Sequence, residues 1–194
     1  MPDVDKAQVV FTPSAWVKMW ALVDAFNSEV AWNATCRRDP DNDRRFIVDD
    51  ILVHKQVVTG GTVRTDPAEY DNWLNEFDDE TFNAIRLHGH SHYYCGAFAS
   101  GLDTELQEDI TSQLTGDMFY IFMIVNRRRD IWIKVCDKKD GLARWGNMVD
   151  ISVDLPECSL DAFINNARTL VEKKPIAHTY NHKTNEEEET DGPG

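Results

Sequence analysis

The sequence predicts a protein of mixed helices and strands, α/β in the broad sense and α+β in the narrow one. We expect a single domain in which helices flank a mixed central β-sheet. Its 194 residues suit one domain with one apolar core. Segments with the two-residue alternation of strands interleave with segments that repeat every three or four residues, as helices do. Their order is not a strict β-α-β repeat, and hairpin-like neighbours occur early and late, which favours a mixed sheet. With no internal repeat and no linker before about Lys173, the domain is expected to span 1–173.

In the first half of the chain, the patterns predict four strand segments and two helices. Proline in the first turn indicates a helix start after Thr12 and another after Asp66. The first helix carries an apolar face from Trp16 to Phe26, and the second has a strongly acidic exposed side. The predicted segments are strands 8–11, 29–36, 45–53 and 54–65, the last interrupted by two glycines, and helices 15–26 and from 66 onward.

In the second half, a strand containing three histidines is followed by a helix and three further strands. In the helix after the histidines, Leu106, Ile110 and Leu114 are expected to point inward. The last helix has an apolar face from Leu160 to Leu170 that is also expected to be buried. The predicted segments are strand 82–92, helix 103–114, strands 118–126, 130–137 and 148–155, and helix 159–172.

The charge balance bounds the partners of the protein. A formal net charge of −14 argues against nucleic acid as a partner, because such binding depends on lysine and arginine neutralising phosphates. The run from Glu186 to Glu189 contains nothing apolar to bury, so we expect 174–194 to be a disordered acidic tail.

The sequence also argues against a membrane-spanning protein and against a disulfide-stabilised one. No apolar run approaches the roughly 20 residues that a membrane helix needs, and the N-terminus lacks the pattern of a secretory signal, which predicts a cytoplasmic protein. The cysteines are far apart without a C-x-x-C pair, so neither a zinc knuckle nor a disulfide framework is indicated. The four cysteines are Cys36, Cys95, Cys136 and Cys158, and most of them are expected to be reduced and buried.

The stretch from 88 to 103 contains a candidate metal site. Residues two apart on a strand point the same way, so His90 and His92 can both reach one ion, and Asp103 can return to it from a helix start. Three nitrogen and oxygen ligands leave a fourth position open, which is typical of catalytic zinc. Ser100 lies three residues before Asp103, where its hydroxyl could face a developing oxyanion or cap the helix. The alternative is a histidine pair that is simply packed or hydrogen-bonded.

The spacing of these residues resembles a known signature. His90-Ser91-His92, seven residues, Ser100, two residues and Asp103 look like the H-x-H-x(7)-S-x-x-D signature of the JAMM (JAB1/MPN/Mov34) metalloproteases. The signature is complete. The resemblance extends over roughly 8–154, where outside the signature it consists of the order of elements. It implies an MPN-type, cytidine-deaminase-like fold.

The resemblance also implies roles for individual residues. Zn²⁺ would be held by His90, His92 and Asp103 with a water molecule, and Ser100 would stabilise the tetrahedral oxyanion. Glu29, at the start of an early strand after the first long helix, would be the general base. Taken alone, the sequence favours a solvated charge at a strand end for Glu29, and only its position in the family layout points to a general base. The implied reaction is hydrolysis of a peptide or isopeptide bond, with a ubiquitin-like protein or an assembly protein as the candidate substrate.

The chain departs from the family pattern beside the ligands. Tyr93 stands where a proline usually follows the second histidine, Phe98-Ala99-Ser100 replaces F-P-S, and Ala31 replaces a glycine. These changes leave the ligands intact and bear on substrate choice.

Two neighbours of the ligands have no role in the signature. His88 either packs beside the strand or contacts substrate or a ligand, and Cys95 is either a bystander or an additional thiolate ligand. Beside the metallopeptidase, two other functions fit the sequence: a non-catalytic MPN-like scaffold that binds proteins, and a hydrolase of small amides that uses the same site. The substrate and the oligomeric state do not follow from the sequence.

Overall fold

The computed structural model describes residues 6–59, 62–155 and 160–170. The chain divides into two compact units, Met1–Pro156 and Glu157–Gly194. The first contains all ten described strands, and the described part of the second is one helix. The predicted acidic tail, 174–194, lies outside the described residues, and the boundary at 173 stays a prediction.

The elements of the first unit form an α+β architecture. Its helices are α1 (Pro13–Ala25), α2 (Pro67–Leu74), α3 (Asp79–Ala84) and α4 (Gly101–Ser112). Its strands are β1 (Ala7–Phe11), β2 (Ala31–Asp39), β3 (Asn42–Leu52), β4 (Val57–Thr59), β5 (Thr62–Arg64), β6 (Ile85–His92), β7 (Phe119–Asn126), β8 (Ile131–Asp137), β9 (Leu142–Trp145) and β10 (Val149–Val153). The second unit contributes α5 (Leu160–Leu170).

Eight strands form one mixed sheet in the order β10-β1-β3-β2-β6-β7-β8-β9, and β4 and β5 form a separate hairpin. The pairs β1–β10, β1–β3 and β6–β7 are parallel, whereas β2–β3, β2–β6, β7–β8 and β8–β9 are antiparallel. The prediction of an α+β fold with a mixed central sheet is confirmed. Strand β6, which carries the histidines, lies near the middle of this sheet.

The main core fills the face of the sheet that α1 covers. Met19 and Val23 of α1 are buried in the same cluster as Trp32 of β2, Leu87 of β6 and Met123 of β7. The opposite face carries the histidines and a smaller cluster formed by Leu114, Tyr120, Phe122 and Cys136. Because side chains alternate along a strand, this division directs His88, His90 and His92 away from the main core.

A close approach at Gly89 joins the histidine strand to that core. Gly89 is the register partner of Trp32 on β2. A Cβ atom at position 89 would lie 2.5 Å from Cε2 and Nε1 of the Trp32 indole. Only glycine at position 89, between His88 and His90 in the sequence, leaves room for the Trp32 ring.

Several predicted boundaries are wrong. The segment predicted as strand 82–92 begins as α3, because Asp78 caps a helix by accepting a hydrogen bond from the Thr81 amide, and the strand starts only at Ile85. Strand β2 starts at Ala31, so Glu29 precedes it. Strand β9 was not predicted, and the segment predicted as one interrupted strand, 54–65, is the β4–β5 hairpin.

Some predicted helix faces are also wrong. Phe26 is 45% exposed because it forms the C-cap beyond α1, and Leu106 of α4 is 39% exposed. On α5, the described apolar residues predicted to be buried are mostly exposed: Phe163, Ile164 and Leu170. In the part of the chain that the structure describes, no helix is long and apolar enough to cross a membrane.

The cysteine prediction holds in part. Cys36 and Cys136 are buried free thiols, but Cys95 is exposed because it lies in the loop after β6. Cys158 lies outside the described residues.

Candidate metal centre

The structure brings His90, His92 and Asp103 together. The two histidines share a face of β6, and α4, which follows after the loop 93–100, returns Asp103 from its first turn. One candidate ligand atom from each residue lies within 4.8 Å of the others. Within residues 6–59, 62–155 and 160–170, no other group of three histidine, cysteine or acidic side chains meets that condition.

The separations between these atoms fit one small ion. Nε2 of His90 lies 3.1 Å from Nε2 of His92 and 3.5 Å from Oδ1 of Asp103. Two ligands about 2.05 Å from a tetrahedral zinc ion lie about 3.3 Å apart, so both separations are close to the edge of such a tetrahedron. Two imidazoles and a carboxylate form a nitrogen and oxygen donor set that suits zinc better than calcium or magnesium.

Hydrogen bonds to the other atoms of two ligand side chains fix their orientation. Nδ1 of His92 is 2.8 Å from the carbonyl oxygen of Gly96, which can only accept, so Nδ1 carries a proton, and in the neutral ring Nε2 holds the lone pair. Oδ2 of Asp103 accepts from the Ser100 amide at 2.7 Å, which leaves Oδ1 for a metal. Nε2 of His92 and Oδ1 of Asp103 therefore both face Nε2 of His90, and these three atoms are the candidate metal ligands.

The protonation states also suit a cation. Burial lowers the pKa of His90 to about 4; His92 adds to the lowering and Asp103 opposes it. Burial raises the pKa of Asp103, but hydrogen bonds from Ser100 and the nearby imidazoles outweigh it, and the pKa lies below its ordinary value. At neutral pH the site therefore holds a neutral imidazole at His90 and an ionised carboxylate, which are the forms that bind metal.

Ser100 is the N-cap of α4. Its Oγ accepts from the Asp103 amide at 3.3 Å, and Asp103 returns a bond to the Ser100 amide, which completes a capping box. The Ser100 hydroxyl also hydrogen-bonds the Asp103 carboxyl, which helps to lower the pKa of Asp103. To donate to an oxyanion, the hydroxyl would have to rotate away from that carboxylate. Ser100 is exposed beside the ligands, and the cap is compatible with the predicted role of Ser100 at an oxyanion.

Glu29 lies in the segment between α1 and β2. The residue after it, Val30, is joined to Ser91 of the histidine strand, and Ala31 is the register partner of His90. Burial raises the pKa of the Glu29 carboxyl above its ordinary value, Asp103 adds to the rise, and His92 opposes it. Glu29 is thus close enough to His92 and Asp103 for both residues to affect the pKa of its carboxyl.

His88 and Cys95 lie outside the ligand group. His88 is half-buried, and loss of solvation lowers its pKa to about 4; it lines a small cavity beside the candidate ligands. That cavity has about 10 Å³ available to the centre of a water molecule, which is room for one. Its other lining residues are His90, Asp103, Leu106, Gln107, Phe122, Met123 and Ile124. Cys95 is exposed in the loop, where its carbonyl oxygen accepts from Asn126.

Three residues around the site were missed in the sequence. Ser91 was treated only as a spacer, although its hydroxyl accepts a hydrogen bond from Val30. Gln107 is buried beside His88 and accepts from Lys134 at 3.1 Å. Gln56 bonds the backbone of Ala31. The place of Ser91 between the two histidines was the only signal, because the others depend on long-range packing.

Comparison with protein-family models and with curated proteins gave no match to this chain. Two imidazole nitrogens, one carboxylate oxygen, a nearby second carboxyl and an exposed hydroxyl can hold a divalent ion and move a proton beside it.

Proposed function

We propose that this protein is a zinc-dependent hydrolase of the JAMM type that cleaves peptide or isopeptide bonds. One observation carries the proposal: Nε2 of His90 lies 3.1 Å from Nε2 of His92 and 3.5 Å from Oδ1 of Asp103, which is close to the ligand spacing of a tetrahedral zinc site. The order of elements supports an MPN-type fold, because a long helix precedes the strand after Glu29 and a second helix carries Asp103.

The residues have distinct tasks in this proposal. Zinc, when bound, supplies a Lewis acid that polarises the scissile carbonyl and lowers the pKa of water to about 7. Glu29 takes a proton from the attacking water and returns it to the leaving amine. Its raised pKa makes the carboxylate a stronger base than an ordinary glutamate and leaves a larger fraction of the carboxyl protonated for donation near neutral pH. Ser100 donates its hydroxyl proton to the developing oxyanion.

The substrate class remains part of the proposal. A ubiquitin-like protein or an assembly protein would present an extended C-terminal or linker segment to the exposed side of the site, in the cytoplasm. A non-catalytic scaffold is less well supported, because such proteins lack one or more ligands and none is missing here. A small-amide hydrolase would use the same residues.

Metal content tests the proposal directly. Purified wild-type protein is expected to hold close to one zinc ion per chain, and a His90→Ala/His92→Ala double variant is expected to lose it. Cys95→Ser is the matched control, because this exposed thiol lies outside the ligand group and its loss should leave the zinc content unchanged. Wild-type protein that holds no zinc even when zinc is supplied would refute the proposal.

A further inference from the structure

The start of β2 is held by a side chain in place of a neighbouring strand. Pairing between β2 and β3 begins only at Asn33, so the β3 side of Ala31 has no strand partner. There, Oε1 of Gln56 accepts from the Ala31 amide at 2.8 Å, and Nε2 of Gln56 donates to the Ala31 carbonyl at 2.9 Å. Nε2 also donates to the carbonyl of His54 at 3.2 Å. The amide of Gln56 thus supplies the two bonds that an adjacent strand would make.

The residue before Ala31 is held from the other side. The Ser91 amide donates to the Val30 carbonyl at 2.9 Å, and the Val30 amide donates to Oγ of Ser91 at 3.1 Å. Ser91 is 2% exposed and Val30 is 3% exposed, so water does not compete for these bonds. Ser91 lies between His90 and His92, so its hydrogen bonds join this backbone directly to β6, which carries both candidate ligands.

We propose that Gln56 and Ser91 are positioning residues that fix Glu29 against the metal centre. The inference rests on the proposed function for the role of Glu29. Glu29 has no strand partner of its own, but the next two residues are fixed by four hydrogen bonds, two from Gln56 and two with Ser91. Without them the backbone that carries the carboxyl would be free to fray, as unpaired strand ends are.

The size of the effect follows from the geometry that proton transfer requires. A general base acts only within hydrogen-bond reach of the proton it takes. A displacement of about 1 Å reduces turnover by roughly 100-fold without removing any reacting group. A purely structural role would instead change stability and metal binding and leave the chemistry of folded, metal-loaded protein intact.

Four variants separate these roles. Gln56→Ala removes both bonds to Ala31, and Gln56→Glu keeps the shape but removes the donor. Ser91→Ala removes the acceptor for Val30, and Ser91→Thr retains the hydroxyl. The matched controls are Gln8→Ala on β1 and Ser112→Ala at the end of α4, whose side chains are exposed.

Two measurements are made on these proteins. The first is hydrogen exchange of the Val30 and Ala31 amides in metal-free protein, followed by nuclear magnetic resonance. The second is zinc content together with kcat and KM on a fluorogenic isopeptide, in which a peptide carboxyl group is joined to a lysine ε-amine. The exchange measurement does not require catalytic activity, so its result is independent of whether the protein is an enzyme.

In wild type both amides should be protected. Exchange of Ala31 should become at least about tenfold faster in Gln56→Ala, and exchange of Val30 likewise in Ser91→Ala, which corresponds to loss of one hydrogen bond. In both variants kcat should fall roughly 10- to 100-fold while zinc content and KM stay near wild type, and Ser91→Thr should recover most of kcat. The two controls should match wild type.

Two results would overturn the inference: unchanged amide exchange in the variants, or faster exchange with unchanged kcat in a zinc-loaded, active enzyme. Failure of the proposed function looks different. Wild-type protein that binds zinc but never cleaves the isopeptide or any peptide removes the catalytic assignment, and the amide exchange then decides by itself whether Gln56 and Ser91 hold the segment.

Discussion

The contact between Gly89 and Trp32 makes a sharp prediction about the strand that carries the ligands. In Gly89→Ala the new methyl group would lie 2.5 Å from Cε2 and Nε1 and 2.7 Å from Cζ2 of the indole. Ordinary carbon contacts are about 3.5–4.0 Å, so the ring or the strand must move by about 1 Å. Trp32 is completely buried in the main core, where little room exists for that movement.

Overpacking of this kind costs about 1–3 kcal/mol. We therefore expect Gly89→Ala to lower the free energy of unfolding by about 2 kcal/mol and Tm by about 4–8 °C. The assay is chemical denaturation of metal-free protein followed by circular dichroism, so that zinc binding does not contribute. Gly101→Ala is the matched control, because a Cβ there meets nothing within 4 Å and α4 should be unchanged or slightly more stable.

A double-mutant cycle tests the cause. If the indole is the obstacle, Gly89→Ala should cost at least about 1 kcal/mol less in a Trp32→Phe background than in wild type. Equal stability of Gly89→Ala and wild type, or a cost that Trp32→Phe does not change, would refute the packing argument.

Two further predictions concern the proposed base and the ion pair between Arg38 of β2 and Asp137 of β8. Glu29→Gln should keep its zinc but lose roughly 100- to 10,000-fold in kcat. In wild type kcat/KM should fall as the pH drops through the pKa of Glu29, which burial raises in the metal-free protein. Unchanged turnover in the variant would remove Glu29 from this role. Arg38 makes two hydrogen bonds, of 2.7 and 2.8 Å, to Asp137, whose side chain is 3% exposed. Arg38→Ala should therefore lower the free energy of unfolding by about 3–5 kcal/mol, whereas Arg37→Ala, in an exposed ion pair, should cost less than about 1 kcal/mol in the same denaturation assay.

The proximity of His90, His92 and Asp103 was predictable because it depends on local geometry. Alternation along a strand places His90 and His92 on one face, and helix capping places Asp103 beside Ser100; both rules act over a few residues. The surroundings of Glu29 were not predictable in this way. They depend on the pairing of Ala31 with His90 and on the side chain of Gln56, which joins segments 25 residues apart in sequence.

The buried face of α4 shows why a regular pattern can mislead. Apolar spacing predicted Leu106 inside. In the structure, Asp103 turns toward the histidines, and Gln107, one helical turn later on the same side, is buried instead. Leu106 consequently faces partly outward. The capping box with Ser100 and the approach of Asp103 to His90 set the rotation of the helix, and the apolar spacing of the sequence does not reveal that.

The most direct test of the central claim is the coordination shell of zinc bound to wild-type protein, measured by X-ray absorption at the zinc edge. The geometry predicts one ion per chain with four nitrogen and oxygen ligands at about 2.0–2.2 Å, two of them imidazoles from His90 and His92. Failure to bind zinc, or a sulfur ligand at about 2.3 Å that disappears in Cys95→Ser, would contradict it.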